Sequence, residues 1–581
     1  MPTDRFAIAA ALREMGRLLE AQGELAFKVR AYERGAKTLE SLTGDFDAIV
    51  ASNRLETLEN IGPALAKKIE ELHRTGRSTK LEQLRSQLPS GIHDLLRIPD
   101  LGPKRVGELF RLLGVQTLAD LKTAAEAGKV RVLKGFSAKT EATILAGIDN
   151  LDRTPDRRLL LDALDAGEPL VAHLRRHPAV EQADLAGSAR RWRETVGDLD
   201  IVVATRDPKA TVEHFAAWPP VADVEARGDT LCTVRFGDGL QVDLRMVPPE
   251  DYATALHHFT GSKAHHVRLR GLARERGLTI SEWGVARIDD GTKLPIDSER
   301  ALYAALGMSY VPPEMREDEG EIELALAGTS FDDLVTAADI RGMVHCHSTY
   351  SDGVNTIADM ARAADALGVE YLTITDHSPH AHYARGVEID RLEAQWDEID
   401  AVQEEVKVRL LKGTESDILQ DGSLDYPDAI LERMDVVIAS VHERHRMDED
   451  AMTNRIKAAM RHPMFKIWGH ALGRLIGSRP PFACRVEEVL DVIAESRAAI
   501  EVNGDPHRLD LEPRWIREAR KRNIPFTVSV DAHSARAFGY LRYGIGTARR
   551  GGLRRSEVLN TRSADDFAAA VRPSGGRPVG T

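Results

Sequence analysis

Apolar positions recur at spacings of three and four through the first 150 residues, as in Ile8, Leu12, Met15, Leu18 and Leu19, and no alternating run of useful length interrupts them. The pattern predicts an all-α region. Near Ala183 the period changes: the short apolar runs 231–236 and 240–247 flank the turn Gly237-Asp238-Gly239, a hairpin signal, so an α+β region is expected. From about Ile340 onward, apolar strands alternate with helical stretches, the arrangement of a parallel α/β sheet or barrel. Pro312-Pro313 and the charged run Arg316-Glu317-Asp318-Glu319-Gly320-Glu321 suggest a boundary before it.

A chain of 581 residues is long enough for several units of about 150 residues. Its 43% hydrophobic and 29% charged residues are those of ordinary globular protein. No stretch approaches the roughly 20 apolar residues that span a bilayer, and the N-terminus, with Asp4, has no apolar core like a signal peptide, so no membrane partner and a cytoplasmic location are expected. Cys232, Cys346 and Cys484 are too far apart in sequence for a disulfide framework. The net charge of −13 hides an uneven distribution: residues 1–150 sum to +3, 301–450 to −22 and 451–581 to +10. Acids that end apolar strands are candidate metal ligands.

In the helical part, Ile61-Gly62-Pro63-Ala64-Leu65-Ala66-Lys67-Lys68-Ile69 and Leu101-Gly102-Pro103-Lys104-Arg105-Val106-Gly107 repeat one pattern, with a weaker copy at Gly135-Phe136-Ser137. A glycine permits a tight turn and a helix starts at once, so unpaired N–H groups and the positive dipole end face outward, where a phosphate can sit. These segments resemble helix-hairpin-helix motifs, which grip the DNA backbone without reading sequence. Gly62, Gly102 and Lys104 are the candidate DNA contacts. The first copy also resembles the N-terminal lyase domain of family X DNA polymerases. That resemblance implies a Schiff-base role for Lys68, supported by Tyr32 and Lys28.

Farther on, Val196-Gly197-Asp198-Leu199-Asp200-Ile201 places Asp198 and Asp200 on one face of a strand, and Asp243 alternates with Val242 and Leu244 in the same way. Three gathered carboxylates repel one another unless cations neutralise them, which suits Mg²⁺ or Mn²⁺ and an in-line displacement at phosphorus. Gly187-Ser188 before them resembles the phosphate-binding turn of nucleotidyltransferases, with Arg191 as a charge partner; His258-Phe259-Thr260-Gly261-Ser262 resembles the family X thumb motif. The resemblance implies nucleotide contacts at Gly187, Ser188, Arg191, Phe259 and Gly261, and catalysis by Asp198, Asp200 and Asp243. His258, His266 and Trp192 depart from the pattern expected of that family.

In the last region, polar residues stand at the ends of successive apolar strands: His345, His347, Asp352, Asp376-His377, Glu415, His442, His470, Asp531 and His533. Strand ends on one face of an α/β barrel converge. Imidazole and carboxylate without thiolate point to Mn²⁺, Zn²⁺ or Fe, and nine ligands suffice for up to three ions, with phosphoester hydrolysis as the chemistry. The sequence resembles the polymerase and histidinol phosphatase (PHP) domain. By that resemblance the nine metal ligands are His345, His347, Asp352, His377, Glu415, His442, His470, Asp531 and His533, Glu415 bridges, and Arg474 and Arg508 meet substrate phosphate.

Together these resemblances imply a bacterial family X DNA polymerase: a gap-filling repair enzyme with a 3′-5′ exonuclease in its PHP domain, acting on gapped or primer-template DNA and deoxynucleoside triphosphates as a monomer. The expected architecture is multidomain: an all-α helix-hairpin-helix region (a lyase-like domain at 1–90 and fingers at 91–155), an α+β nucleotidyltransferase palm at 156–250, a thumb at 251–315, a linker at 316–335 and a distorted (βα)7 PHP barrel at 336–581. Two rival readings remain open. One is a 3′-phosphatase or abasic-site endonuclease held on DNA by the polymerase region; the other is a non-catalytic DNA-end-binding scaffold.

Overall fold

The computed structural model describes residues 5–40, 46–52, 54–58, 60–86, 88, 95, 98, 101–153 and 157–573. The chain divides into two compact units, 1–156 and 157–581. Among the described residues the first is entirely helical, as the period predicts, with principal helices Arg5–Ala21, Ala26–Glu40, Pro63–Thr75, Pro103–Leu113 and Ala138–Arg153. Ile8, Leu12, Ile69, Leu109, Leu121 and Ile144 belong to one buried apolar cluster, so the parts expected as 1–90 and 91–155 share a core. The expected boundaries near 90 and 155 fall outside the described residues. Gly107 lets two helices touch, since a Cβ there would come within 1.8 Å of the Ala21 carbonyl oxygen.

The second unit begins with β1 (Arg158–Leu159), β2 (Val180–Leu185), β3 (Thr195–Val196), β4 (Leu199–Thr205), β5 (Val221–Arg227), β6 (Leu231–Phe236) and β7 (Gln241–Val247). Five of these form a sheet in the order β2-β4-β7-β6-β5, in which β4 and β7 run parallel and their other neighbours antiparallel. Apolar packing covers both faces: Ile201, Val203 and Leu244 enter one cluster, Val202, Ala204 and Val247 another. The following region, expected as the thumb, carries the helices Tyr252–Thr260 and Lys263–Glu275 and the hairpin β8 (Leu278–Ser281) and β9 (Gly284–Arg287).

Residues 316–335 depart from the linker expected there. Ile322, Ala325, Phe331 and Leu334 are buried in the same cluster as Leu269, Leu302 and Tyr303. Arg316, which opens the charged run, is fully buried, with Nη1 donating to Glu299 Oε1 at 2.6 Å. A run of charge signals solvent only when its members lack partners, and here Glu299, 17 residues upstream, supplies one.

The remainder is a barrel of β10 (Gly342–Met343), β11 (Tyr371–Ile374), β12 (Arg409–Asp417), β13 (Val436–Ser440), β14 (Lys466–Trp468), β15 (Ala498–Asn503) and β16 (Phe526–Ser529), each pairing in parallel with the next. A bridge between Cys346 and Ala532 brings the first and last together: the Ala532 N–H donates to the His345 carbonyl at 3.0 Å and the His347 N–H to the Ala532 carbonyl at 2.8 Å. Closure is therefore made by the segments that carry the expected ligands. Among the described residues no helix is long and apolar enough to cross a membrane.

Candidate active sites

Six barrel strands deliver the donors. His345 and His347 follow β10, His377 follows β11, Glu415 lies in β12, His442 follows β13, His470 follows β14, and Asp531 and His533 follow β16. Donor atoms of His347, Asp352, His377 and His533, of His345, His347, Glu415 and Asp531, and of His377, Glu415 and His442 form three groups whose members lie within 4.8 Å. Glu415 joins two of them. Its Oε1 stands 2.9 Å from His470 Nε2 and 3.2 Å from His442 Nε2, and its Oε2 stands 3.0 Å from His377 Nδ1. All nine expected ligands thus fall in one cluster, Glu415 meeting several directly and Asp352 and His533 joining through His347 and His377.

This donor set fits divalent cations. Both Glu415 oxygens, His345 Nε2, Asp352 Oδ1 and His377 Nδ1 are buried without a hydrogen-bond partner, an arrangement that costs free energy unless something positive meets the oxygens and the ring nitrogens' lone pairs. Burial raises the carboxyl of Glu415, but the His442, His345 and His377 rings outweigh it and hold it well below its ordinary range. Asp352 and Asp531 are depressed likewise, against burial, by His533 and by His345 respectively. Burial opposes protonation of His442 and His533, yet Glu415 and Asp352 respectively pull each up to about 10. His347 goes the other way, down to about 4, through burial and the neighbouring His533 and His377. Metal ligation requires neutral imidazole, so binding here releases protons. His345, His470 and Asp531 adopt positive φ (69°, 26° and 52°), a backbone conformation costly for such residues and concentrated where the surroundings over-determine it.

The sequence reading missed the carboxylates that orient these ligands. Glu501, in β15, accepts from His345 Nδ1 at 2.6 Å and also from the His470 backbone N–H, Ser529 Oγ and Asn503 Nδ2. Asp417 faces His442 Nδ1 at 3.0 Å; Asp376, noted in the sequence beside His377, instead braces the turn after His347 by accepting from the Ser348 N–H, Ser348 Oγ and Gln395 Nε2. Such outer partners fix which ring nitrogen faces the metal. The signal available was an acid inside an apolar run, Ala499-Ile500-Glu501-Val502, on the barrel strand that supplies none of the nine expected ligands. Arg508 stands beside the barrel donors, Nε 3.6 Å from Asp531 Oδ2. Arg474 is 6% exposed and turned onto protein partners, namely Glu194, Glu512 and the carbonyls of Arg508 and Leu509.

In the five-stranded sheet, Asp200 and Asp243 are direct cross-strand partners on β4 and β7, and Asp198 precedes β4 on the exposed side. Burial and then repulsion from Asp198 and Asp243 push Asp200 up to about 7, against the pull of Arg245 and Arg191. Thr233 Oγ1 donates to Asp243 Oδ1 at 2.7 Å. Among the described residues this trio is not drawn into a group within 4.8 Å, unlike the barrel donors. Gly187 has φ 56° and lies so close to Asp200 that a Cβ would stand 2.2 Å from its Oδ2. Ser188 is half-buried on the same turn.

Arg191 donates through Nη1 to the Thr260 carbonyl and through Nε to Glu317 at 3.1 Å, which ties that turn to the next region. Gly261 (φ 68°) lies against the same guanidinium, and the Phe259 ring carries the Arg245 guanidinium at 4.9 Å. His258 and His266 meet edge-on at 4.7 Å, and burial, with the other ring adding to it, lowers His266 to about 4.

In the first unit, Gly62 and Gly102 cap the helices Pro63–Thr75 and Pro103–Leu113, each with proline in the first turn, and nothing lies within 4 Å of where a Cβ would project. Both tips are exposed, as is Lys104, while Ile61 and Leu101 anchor them in the core. Lys68 Nζ donates to the Ala64 carbonyl at 2.8 Å and stands 6.0 Å from the Tyr32 ring centre; burial, then Lys80, lowers its pKa. Lys28 pairs instead with Glu24 at 2.9 Å.

Comparison with known proteins agrees in order and extent. Residues 4–78 match a helix-hairpin-helix domain, 92–150 a SAM-like helix-hairpin-helix tandem, 255–317 the DNA polymerase beta thumb and 344–505 the PHP domain. The chain is 36% identical over 557 residues, 95% of its length and 97% of the relative's, to a protein of Bacillus subtilis (strain 168) named DNA polymerase/3′-5′ exonuclease PolX. It is 22% identical to rat (Rattus norvegicus) DNA polymerase lambda, over 48% of this chain and 52% of that one. A probable phosphatase of Thermoanaerobacter sp. (strain X514) is 28% identical over 37% of this chain and 89% of its own. With two glycine hairpins, a carboxylate sheet, a thumb and a nine-donor barrel in that sequence, the chain belongs to the PolX family of DNA polymerases that carry a C-terminal PHP domain.

Proposed function

We infer that the chain is a DNA-directed DNA polymerase that fills short gaps in repair and trims DNA 3′ to 5′ at its PHP site. The observation that carries this reading is that one chain holds the cross-strand carboxylates Asp200 and Asp243 beside the Gly187 turn and, separately, a donor cluster at the barrel mouth. Its substrates are gapped or primer-template DNA and deoxynucleoside triphosphates, its expected place of action is the cytoplasm, and it works as a monomer. The working parts are a lyase-like region at 1–90, fingers at 91–155, a palm at 156–250, a thumb from 251 and the PHP barrel from 336.

Asp198, Asp200 and Asp243 hold Mg²⁺ or Mn²⁺ in the palm. The nine barrel ligands hold up to three ions, Mn²⁺ being our choice over Zn²⁺ and Fe. Divalent cations at such sites supply Lewis acidity and activate the attacking hydroxyl or water. The chain's own groups do the rest. The backbone of the Gly187 turn and the Ser188 hydroxyl receive the nucleotide phosphates, Arg191 keeps that turn against the thumb, and Phe259 and Gly261 flank the incoming nucleotide. Gly62, Gly102 and Lys104 grip the DNA backbone without reading bases. Lys68, held near Tyr32 with a lowered pKa, is the candidate lyase nucleophile. Borohydride trapping on an incised abasic site, lost in Lys68→Ala, is the expected result.

A labelled primer on gapped DNA with Mn²⁺ tests the whole reading: it lengthens with nucleotides and shortens without them. Asp243→Asn removes lengthening alone and His345→Ala removes shortening alone, each by at least about 100-fold. Release of inorganic phosphate from a 3′-phosphorylated oligonucleotide, in place of nucleoside monophosphate from the 3′ end, selects the phosphatase reading. Lengthening and shortening that both survive Asp243→Asn and His345→Ala overturn the reading.

A further inference from the structure

The palm packs on the barrel close to the donor cluster. Trp192, just after the Gly187 turn, lies over Gly546, where a Cβ would approach its ring to 2.5 Å. The ring meets Tyr543 edge-on at 6.0 Å and the Arg542 guanidinium at 5.4 Å. From the barrel side, Leu509 and Tyr543 enter the palm's own apolar cluster beside Leu164 and Leu199. Trp192 is a departure from the family pattern, and this contact gives it a physical role.

Two residues beyond Trp192, Glu194 Oε2 accepts from Arg474 Nη2 at 2.9 Å. Arg474, four residues after His470, turns its other donors onto one segment: Nε to the Arg508 carbonyl at 2.8 Å and Nη2 to the Leu509 carbonyl at 2.5 Å, with Glu512 3.3 Å from Nη1. Leu509 has φ 43°, a left-handed conformation that a leucine keeps only when its surroundings hold it. The segment carries Arg508, whose side chain is 18% exposed and whose Nε stands 3.6 Å from Asp531 Oδ2. A buried guanidinium that loses one carboxylate partner is left under-compensated, so the two carbonyls it grips would loosen with it.

We propose that Glu194 of the palm is a positioning residue of the PHP nuclease: through Arg474 it fixes the backbone at 508–509 and so aims Arg508 at a phosphate of the DNA 3′ end. The proposal rests on the nuclease reading given above. It carries an unusual sign. Removing an acid from a protein that binds a polyanion ordinarily strengthens binding; here it weakens turnover, because the acid acts by holding a cation in place.

The test is nuclease kcat/KM of the full chain with Mn²⁺ on a single-stranded oligonucleotide, measured over a salt series. Glu194→Gln lowers kcat/KM about tenfold and reduces the salt slope by about 0.7, the loss of one phosphate contact. Arg508→Ala does the same, and the double variant is no worse than Arg508→Ala. Glu194→Asp restores most of the activity. Arg474→Lys, which keeps the charge but cannot span both carbonyls, repeats the loss and stands in if Glu194→Gln fails to fold. The proposal is overturned if Glu194→Gln leaves kcat/KM unchanged or raises it, if the two losses multiply, or if Arg474→Lys keeps full activity. Hydrolysis that persists in His345→Ala is a separate outcome: it removes the nuclease reading and the proposal with it.

Discussion

Replacing Glu501 by glutamine tests the orienting shell of the barrel site with almost no change of shape. Glu501 is fully buried and accepts four hydrogen bonds, from His345 Nδ1, the His470 N–H, Ser529 Oγ and Asn503 Nδ2. An amide keeps one acceptor oxygen and turns an NH₂ group toward two existing donors. The bond to His345 is the charged one, and its carboxylate is the main partner holding that ring's Nδ1–H, so that Nε2 is left for a metal. Losing a charge-assisted hydrogen bond of this kind costs about 1.5–3 kcal/mol, which corresponds to about a 10- to 150-fold change in an equilibrium constant. Outer-shell partners of metal ligands typically carry about 10- to 100-fold in affinity, which agrees. Manganese titration by calorimetry, with metal content after dialysis as a second readout, should show the site that includes His345 weakened by that factor. Nuclease activity should fall at low Mn²⁺ and recover largely at saturating Mn²⁺, while primer extension stays intact. Unchanged manganese affinity in a folded Glu501→Gln protein would refute the idea that Glu501 sets the His345 ring.

Two further changes probe the five-stranded sheet and its junction with the thumb. Glu299, 10% exposed, accepts from Arg190 at 2.6 and 2.9 Å and from the buried Arg316 at 2.6 Å; Glu299→Gln should destabilise the chain by about 3 kcal/mol in denaturant melts, because Arg316 is left unpaired. Burial opposes ionisation of Glu299, but Arg316 and Arg190 outweigh it and depress its pKa, so its contribution is full above its ordinary value near 4.5 and is lost as pH falls through its folded value. The cost of Glu299→Gln should therefore be constant from about pH 6 to 8 and shrink only in acid; a cost that grows on acidification contradicts this assignment. Gly187→Ala puts a Cβ 2.2 Å from Asp200 Oδ2 and a side chain at φ 56°, a strain of about 1–3 kcal/mol. Primer extension should drop by at least about tenfold with nuclease activity unchanged, and wild-type extension would show that the close approach is dispensable.

Much of the site was legible because its logic is local. A strand's side chains alternate with period two, so Leu199-Asp200-Ile201 and Val242-Asp243-Leu244 each announce an acid opposed to apolar neighbours, and β4 and β7 then set Asp200 beside Asp243. The barrel ligands were readable for a similar reason: a donor just past an apolar run lies at a strand end, and strand ends of a parallel barrel share one face. Glycine followed by proline at 62 and 102 announced helix starts that are observed.

What escaped the sequence depends on which distant residues meet. Glu501 looks like one more acid until β15 is closed between β14 and β16, which places it under His345, 156 residues away. Arg474 carries the same signal as Arg508, a cation near a ligand, yet Glu194 from another part of the chain, 280 residues upstream, claims it. The run at 316–321 reads as a boundary because nothing within it shows that Glu299 waits inside to pair with Arg316. Periodicity and turn chemistry are fixed by neighbours along the chain, so the sequence alone determined the three kinds of architecture, their order and the donors. Partnership is fixed by closure and packing, which act over hundreds of residues, and it was the tertiary structure that decided which charges hold the site and which hold the fold.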